Sequence, residues 1–154
     1  MTLTTLCYLI KDGKYLMLYR NKKENDINAG KYIGVGGHVE EGESPVDCII
    51  REVVEETGLT VNSLRTRGFI TFVMGKETEH AFLYTSEDFA GELKASCNEG
   101  ELSWVDKDKV LDLQLWEGDR VFLKLLNETD KFFTIKLIYD EQDNLIDTVV
   151  NYEI

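Results

Sequence analysis

The sequence predicts an α/β fold in which a mixed β-sheet is covered by helices on both faces. Strand-like segments recur along most of the chain, and turn residues separate them. Two segments, 45–57 and 116–126, instead carry apolar residues at helical spacing. Because these helices are interspersed among strands, a mixed sheet with a helix on each face is the expected arrangement.

The length and composition predict a single domain that spans residues 1–154. A chain of 154 residues with 43% hydrophobic residues can build a substantial core. The net charge of −12 argues against binding duplex nucleic acid through a basic face. The three cysteines lack metal-ligand spacing, which indicates reduced thiols and a cytoplasmic protein. We expect neither a signal peptide nor a membrane span, and the oligomeric state stays open.

The strands can be placed from their apolar patterns and from the turns between them. Tight turns are expected at Asp12-Gly13 and Gly75-Lys76. The polar segments 21–30 and 92–101 predict loops, and 106–110 predicts a short helical turn. The predicted strands span 3–11, 14–20, 31–39, 64–74, 79–87, 101–105, 132–140 and 144–152.

The segment 37–59 predicts a loop followed by one helix with clear ends. Ser44 is a suitable N-cap, Pro45 occupies the first helical position, and Asp47 follows three residues after the cap. Gly58 is suited to terminate the helix. An apolar stripe is expected to pack on the sheet, formed by Val46, Ile49, Ile50, Val53 and Val54.

The same helix carries an unfavourable group of acids. Glu52, Glu55 and Glu56 lie at spacings that make like charges repel by roughly 0.2–0.5 kcal/mol per pair. They also lie in the C-terminal half, where the helix dipole favours cations. An acidic surface is the simpler explanation for such a group. A bound hard cation, Mg²⁺ first and Mn²⁺ second, is the functional one.

The spacing of the whole segment decides between these explanations. It resembles the Nudix box, Gly-x5-Glu-x7-Arg-Glu-(aliphatic)-x-Glu-Glu-x-Gly-(aliphatic), at every specified position. The matching residues are Gly37, Glu43, Arg51, Glu52, Val53, Glu55, Glu56, Gly58 and Leu59. The resemblance implies the Nudix fold, an α/β/α sandwich, and a metal-dependent hydrolase of nucleoside diphosphate derivatives. The layout of the chain is similar to the MutT-like group, which hydrolyses oxidised purine nucleoside triphosphates.

The resemblance also implies roles for the acidic residues. Glu52, Glu55 and Glu56 would hold the metal, together with a backbone carbonyl at Gly36 or Gly37. Glu99 matches a position where relatives hold a further acidic ligand or base, although by sequence alone it is one acid in a loop. We expect Glu52 to be the general base, with Glu99 the alternative. A paired Arg51 and Glu43 would orient the glutamates.

Candidate substrate contacts come from the same resemblance. Lys23 could bind phosphate, although solvation alone is the simpler explanation. His38 stands where relatives often carry a phosphate-facing lysine, and it could also be a partly exposed strand residue. Phe72 and Trp116 could stack on the base, where stacking is worth about 1–3 kcal/mol, or they could belong to the core.

Two positions depart from the pattern by which these relatives recognise the nucleobase. Relatives that act on oxidised purines often place an asparagine where this chain has Ile33, which cannot hydrogen-bond a base. They also follow the tryptophan with two acids, of which only Asp119 has a counterpart here. The overall resemblance to the MutT-like group nevertheless makes an oxidised purine nucleoside triphosphate such as 8-oxo-dGTP the expected substrate. One alternative is the hydrolysis of pyrimidine nucleoside triphosphates or of a broad set of nucleoside triphosphates. Another is a non-catalytic nucleotide sensor, although the intact box acids argue against it.

Overall fold

The computed structural model describes residues 1–151 and contains nine strands and two α-helices. The strands are β1 Thr2–Lys11, β2 Lys14–Arg20, β3 Tyr32–Ile33, β4 Val35–His38, β5 Thr60–Met74, β6 Glu77–Ala90, β7 Gly100–Asp106, β8 Phe133–Tyr139 and β9 Leu145–Asn151. The helices are α1 Pro45–Thr57 and α2 Glu117–Glu128, and a short 3₁₀ helix spans Val110–Asp112. Tyr152, the last residue of the final predicted strand, lies outside the described residues.

The sheet is mixed, as the sequence predicts. β1 pairs in parallel with β6, and β5 pairs in parallel with β8, whereas the remaining pairs are antiparallel. Alternate residues of β1 face opposite helices. Leu9 packs in the cluster that contains Val53 of α1, and Tyr8 packs in the cluster that contains Phe122 of α2. The expected arrangement of one sheet between two helices is therefore confirmed.

The predicted strand at 31–39 is in fact two short strands. β1 and β2 pair only next to their Asp12-Gly13 turn and then diverge, so that β3 pairs with β2 and β4 pairs with β1. Gly34 stands between the two, where a Cβ atom would lie 2.8 Å from the carbonyl oxygen of Cys7. The chain can cross from one strand to the other because this residue has no side chain.

Helix α1 has the predicted bounds and caps. The Ser44 hydroxyl accepts a hydrogen bond from the Asp47 amide (3.1 Å), and the Asp47 carboxylate accepts one from the Ser44 amide (2.9 Å). Gly58 ends the helix with a φ of 79°. This left-handed conformation suits glycine, so local sequence chemistry fixes both ends of the helix.

The predicted apolar stripe of α1 is only partly buried. Ile49 and Val53 are fully buried, but Val46, Ile50 and Val54 are exposed. The helix is rotated about its axis so that Cys48 and Glu56 complete its inward face. Hydrophobic periodicity alone predicts a different orientation, because it takes no account of a buried carboxylate.

Other predicted bounds shift by a few residues. β5 and β6 are longer than predicted. Three register irregularities between Val61 and Gly68 interrupt the alternation of buried and exposed residues in β5, and this hides its first residues from a prediction based on the sequence pattern. The helical turn expected at 106–110 is a 3₁₀ helix displaced towards the C-terminus. Helix α2 begins after Trp116 and ends two residues beyond its prediction. Among residues 1–151, neither α-helix is long and apolar enough to cross a membrane.

The capping box generates a stability prediction. Ser44→Ala removes the hydroxyl acceptor of the Asp47 amide, and we expect it to lower the free energy of unfolding by about 1 kcal/mol. Urea unfolding monitored by circular dichroism measures the change. Ser103→Ala is the matched control, because Ser103 is also exposed. Equal stability of the Ser44→Ala and Ser103→Ala proteins would show that the cap contributes nothing.

Candidate active site

The glycine pair of β4 brings α1 against the sheet through two carboxylates. The Glu56 carboxylate accepts a hydrogen bond from the Gly36 amide at 3.0 Å. The Glu52 carboxylate lies against Gly37, so close that a Cβ atom there would collide with it. At Gly36 a Cβ atom would collide with the Thr5 carbonyl of β1. Glycine at position 37 therefore permits the contact with the box helix, and glycine at position 36 permits the close approach of β4 to β1.

Arg51 organises the exposed side of the box. Its guanidinium donates two hydrogen bonds to the Glu43 carboxylate, at 2.7 and 2.9 Å. It also donates to Glu52 at 2.9 Å and to Glu55 at 3.3 Å. These bonds hold the pKa of Glu43 down to about 2 and raise that of Arg51. Arg51 therefore fixes the orientation of the Glu52 and Glu55 carboxylates.

The buried Glu56 carboxylate lies beside the partly buried carboxylate of Glu99. Glu56 is 8% exposed, and burial together with the adjacent Glu99 carboxylate raises its pKa to about 9. Burial also raises the pKa of Glu52, and the hydrogen bond from Arg51 opposes that shift. The carboxylates of Glu52, Glu56 and Glu99 therefore lie near one another at the end of β4, and Arg51 and Arg20 are the neighbouring positive charges.

The donor chemistry of this region fits a hard divalent cation. The buried Glu99 Oε2 atom lies 3.2 Å from Arg20 Nη1 but outside hydrogen-bonding geometry, so it accepts no hydrogen bond from the residues that the structure describes. An ion would satisfy such an oxygen. Within residues 1–151, however, no three acidic, histidine or cysteine side chains are already arranged to hold one ion. Glu55 accounts for part of this, because it is directed to Arg51 instead of to Glu99. The predicted ligand roles therefore stay predictions.

A cleft of about 740 Å³ runs from this acidic end across the sheet. This volume is within the usual range for small-molecule sites. The cleft brings together nine of the residues that the sequence singled out. These are Lys23, Ile33, Gly36, Gly37, His38, Phe72, Glu99, Trp116 and Asp119. The box residues Glu43, Arg51, Glu52, Glu55 and Glu56 do not line the cleft themselves. Glu52 and Glu56 adjoin it, because they contact Gly37 and Gly36 of its lining.

Trp116 is held tightly at the other end of the cleft. Its indole nitrogen donates a hydrogen bond to Asn28 Oδ1 at 2.8 Å, and its ring meets Tyr139 edge to face. The Lys31 ammonium lies 4.4 Å from the centre of the ring, within the range of a cation–π interaction. Trp116 is therefore both buried in the core, at 8% exposure, and part of the cleft wall.

Asp119 is a buried acid in the wall of the cleft. It is 6% exposed, and burial, reinforced by the charge of Glu79, raises its pKa to about 7. The nearby Lys31 ammonium opposes the shift. A carboxyl group of this kind can donate a hydrogen bond when protonated and accept one when ionised, which suits it to recognising a polar edge of a ligand.

Sequence analysis missed three polar residues of this wall. Arg20, at the end of β2, forms ion pairs with Asp26 at 2.8 Å and with Glu99 at 3.2 Å. Asn28 supports Trp116 as described above. The available signal was the polar character of this segment, because the three side chains fall within nine consecutive residues, 20–28, at the end of β2 and in the loop that follows it. Their partners at positions 99 and 116 are far away in the chain.

Asp119 generates a pH prediction. The unfolded carboxyl ionises near its ordinary value of 3.8, whereas the folded one keeps its proton to about pH 7. The folded state therefore binds more protons inside this window, and its extra stability is complete below the window and lost as the pH rises through it. We expect the free energy of unfolding to fall, relative to Asp119→Asn, by up to about 1.4 kcal/mol per pH unit.

Urea unfolding of both proteins between pH 4 and pH 8 measures this difference, with the exposed Asp108→Asn as control. Parallel pH profiles of the wild-type and Asp119→Asn proteins would contradict the prediction.

Comparisons with known proteins agree with this geometry. The NUDIX domain family matches residues 2–126. The oxidized purine nucleoside triphosphate hydrolase of Danio rerio is 33% identical over 132 residues, which are 84% of this chain and 82% of that protein. The protein of the same name from Mus musculus is 29% identical over 154 residues, or 99% and 93% of the two chains. The crystal structure of a MutT protein from Bacillus halodurans matches with a TM-score of 0.90 at 26% identity, covering 100% of both chains.

A family match over most of the chain and a relative of this similarity lead to one conclusion. The chain belongs to the Nudix family and is a Nudix hydrolase, a class of enzymes that generally use divalent metal ions.

Proposed function

We propose that residues 1–154 act as a single Mg²⁺-dependent Nudix domain that hydrolyses nucleoside triphosphates to monophosphates and pyrophosphate. The preferred substrates in this proposal are oxidised purine nucleotides such as 8-oxo-dGTP. The observation that carries it is the continuous cleft, with carboxylates at one end and an aromatic and acidic pocket at the other. The names of the relatives from Danio rerio and Mus musculus support the same substrate class.

The acidic end would carry the chemistry. We propose that Glu52, Glu55, Glu56, Glu99 and a carbonyl of the glycine pair hold Mg²⁺, or Mn²⁺ in its place. The ion would supply charge stabilisation for the phosphate oxygens. Arg51 and Glu43 keep the box carboxylates oriented through the hydrogen bonds described above.

A carboxylate must also take a proton from the attacking water. We propose Glu52 as this base, because its carboxylate lies against Gly37, which lines the cleft, and because the hydrogen bond from Arg51 opposes the rise in pKa that burial causes. Glu99 is the alternative base, since it lines the cleft directly. Such catalysis typically contributes 10²–10⁴-fold.

The other end of the cleft would bind the nucleoside. Trp116 and Phe72 supply aromatic surface for the base, and the buried Asp119 supplies a hydrogen-bonding group beside them. Lys23 and His38 lie on the cleft lining nearer the solvent, where they would meet the phosphates. The free cysteines Cys7, Cys48 and Cys97 are in keeping with a reducing compartment, and we place the reaction in the cytoplasm.

Ile33 favours a second candidate within the same chemistry. It lines the cleft without a polar atom for the base, and a pocket that lacks a polar reader discriminates less strongly. Hydrolysis of a broad set of nucleoside triphosphates, including pyrimidines, is therefore the alternative substrate range. A non-catalytic sensor is disfavoured, because the complete set of box acids is present and two of them, Glu56 and Glu52, contact Gly36 and Gly37.

The proposed function predicts Mg²⁺-dependent release of pyrophosphate from nucleoside triphosphates. We expect Glu56→Gln and Glu55→Gln to lower kcat at least about 100-fold, since each removes a carboxyl group from the proposed metal ligands. A panel of canonical and oxidised nucleotides, assayed with and without EDTA, measures this. Glu87→Gln is the matched control, because Glu87 is exposed on β6, away from the cleft.

The outcome of the panel distinguishes the candidates. A preference for oxidised purines supports the first substrate assignment, and similar turnover of all triphosphates supports the second. Nucleotide binding without turnover would refute the hydrolase proposal for these substrates.

Trp116 generates a prediction about binding. If its ring stacks on the base, Trp116→Leu should raise KM by about 5–150-fold, equivalent to roughly 1–3 kcal/mol, and Trp116→Phe should raise it much less. Steady-state kinetics measure both values. Trp104→Leu is the control, because Trp104 stacks on Phe89 in the other core cluster. An equal rise of KM in the Trp104 and Trp116 variants would show that only packing was lost.

A further inference from the structure

We propose that Arg20 and Asp26 are positioning residues that hold both ends of the cleft through one loop. The loop 21–30 connects β2 to β3 and carries Asp26 and Asn28. Through Arg20 it fixes Glu99 at the acidic end, and through Asn28 it fixes Trp116 at the nucleoside end. This inference deepens the proposed function, and its kinetic part rests on that function.

The first link is the buried guanidinium of Arg20. Its Nε atom donates to Asp26 Oδ2 at 2.8 Å, and its Nη1 atom lies 3.2 Å from Glu99 Oε2. The side chains of Arg20 and Asp26 are only 10% and 5% exposed. One guanidinium therefore joins two separate carboxylates in surroundings that weaken solvent screening.

The backbone reinforces this link. The amides of Asn21 and Lys22 both donate to the Glu99 carbonyl at 3.3 Å. Gly100, the residue next to Glu99, pairs with Arg20 across β2 and β7. A Cβ atom at Gly100 would collide with the Tyr19 carbonyl, so glycine lets the two strands approach there. The Glu99 side chain is thus placed by its backbone and oriented by Arg20.

The second link runs from Asp26 to the tryptophan. The other oxygen of Asp26, Oδ1, accepts a hydrogen bond from the Asn28 amide at 3.0 Å. The Asn28 side chain then accepts the indole hydrogen of Trp116 at 2.8 Å. Asp26 therefore uses one oxygen for each end of the cleft, which makes it the shared element of the network.

Backbone hydrogen bonds also join the two ends of the loop. The Gly30 amide donates to the Arg20 carbonyl at 2.8 Å, and the Arg20 amide donates to the Lys31 carbonyl at 3.0 Å. Arg20, Asp26 and Asn28 all line the cleft together with Glu99 and Trp116. The loop therefore fixes the distance between Glu99 at the acidic end of the cleft and Trp116 at the nucleoside end.

Direct phosphate binding by Arg20 is the competing role. Two of its nitrogens are already directed at protein carboxylates, which balance its charge. Positioning is therefore the better supported role. Lysine would not replace it, because one ammonium group cannot present the fixed donor fork that joins Asp26 and Glu99.

The experiment uses the full chain with the substitution Trp104→Phe. The sequence has two tryptophans, so Trp116 is then the one that remains. Acrylamide quenching of its fluorescence reports the nucleoside end without any substrate. Steady-state kinetics with Mg²⁺ and the best nucleotide of the panel report the acidic end. The variants are Arg20→Lys, Asp26→Ala and Asn28→Ala, and the control is Arg65→Lys, which changes an exposed ion pair with Asp130.

Each variant has a distinct expected result. Asn28→Ala should increase the quenching of Trp116 and raise KM with little change in kcat. Arg20→Lys should lower kcat by roughly 10–100-fold, and Asp26→Ala should show both effects. The Arg65→Lys protein should match the Trp104→Phe parent in every measurement.

Two results would overturn the proposal. One is Trp116 quenching in Asp26→Ala that equals the Arg65→Lys control, and the other is an unchanged kcat in Arg20→Lys. A rise of KM alone in Arg20→Lys would assign it to phosphate binding instead. Thermal unfolding identifies a variant that does not fold, and Asp26→Asn then replaces Asp26→Ala. If the parent protein hydrolyses no nucleotide, the proposed function fails, whereas the quenching comparison still decides the link from Asp26 to Trp116.

Discussion

The structure depends on the contact between two carboxylates of α1 and the backbone of Gly36 and Gly37. Glu56 accepts the Gly36 amide, and Glu52 lies against Gly37. Burying a carboxylate is costly unless it is paired or protonated, and the raised pKa of Glu56 reflects that cost. The helix keeps this arrangement because its caps, its two buried aliphatic residues and Arg51 fix it from other directions. Fold stability and the proposed chemistry therefore compete at one interface.

Much of the fold could be predicted because its signals are local. The Ser44 and Gly58 caps define α1 within the segment itself, and the Asp12-Gly13 turn defines the first hairpin. The division of the third strand at Gly34 could not be predicted, since it depends on the divergence of β1 and β2. The rotation of α1 was also missed, because hydrophobic spacing measures apolar burial and ignores the Glu56 contact.

The candidate site, like the fold, could be predicted from the sequence only in part. The spacing of the box acids identifies one end of the cleft from 23 consecutive residues of the sequence. The wall of the cleft depends on contacts between distant parts of the chain, such as Asn28 with Trp116, which are 88 positions apart. The direction of such side chains is decided by the packing of strands and loops, and neither Arg20 nor Asn28 has a local pattern that reveals it.

The rotation of α1 has a consequence for the outer surface. Turning Glu56 inward leaves Val46, Ile50 and Val54 exposed along one side of the helix, next to a shallow hollow lined in part by Leu64 and Tyr84. Apolar surface of this kind promotes contact between molecules. The net charge of −12 opposes it through mutual repulsion, and salt weakens that repulsion. The acidic composition thus has a colloidal role, because repulsion between molecules opposes their association through the exposed apolar side of α1.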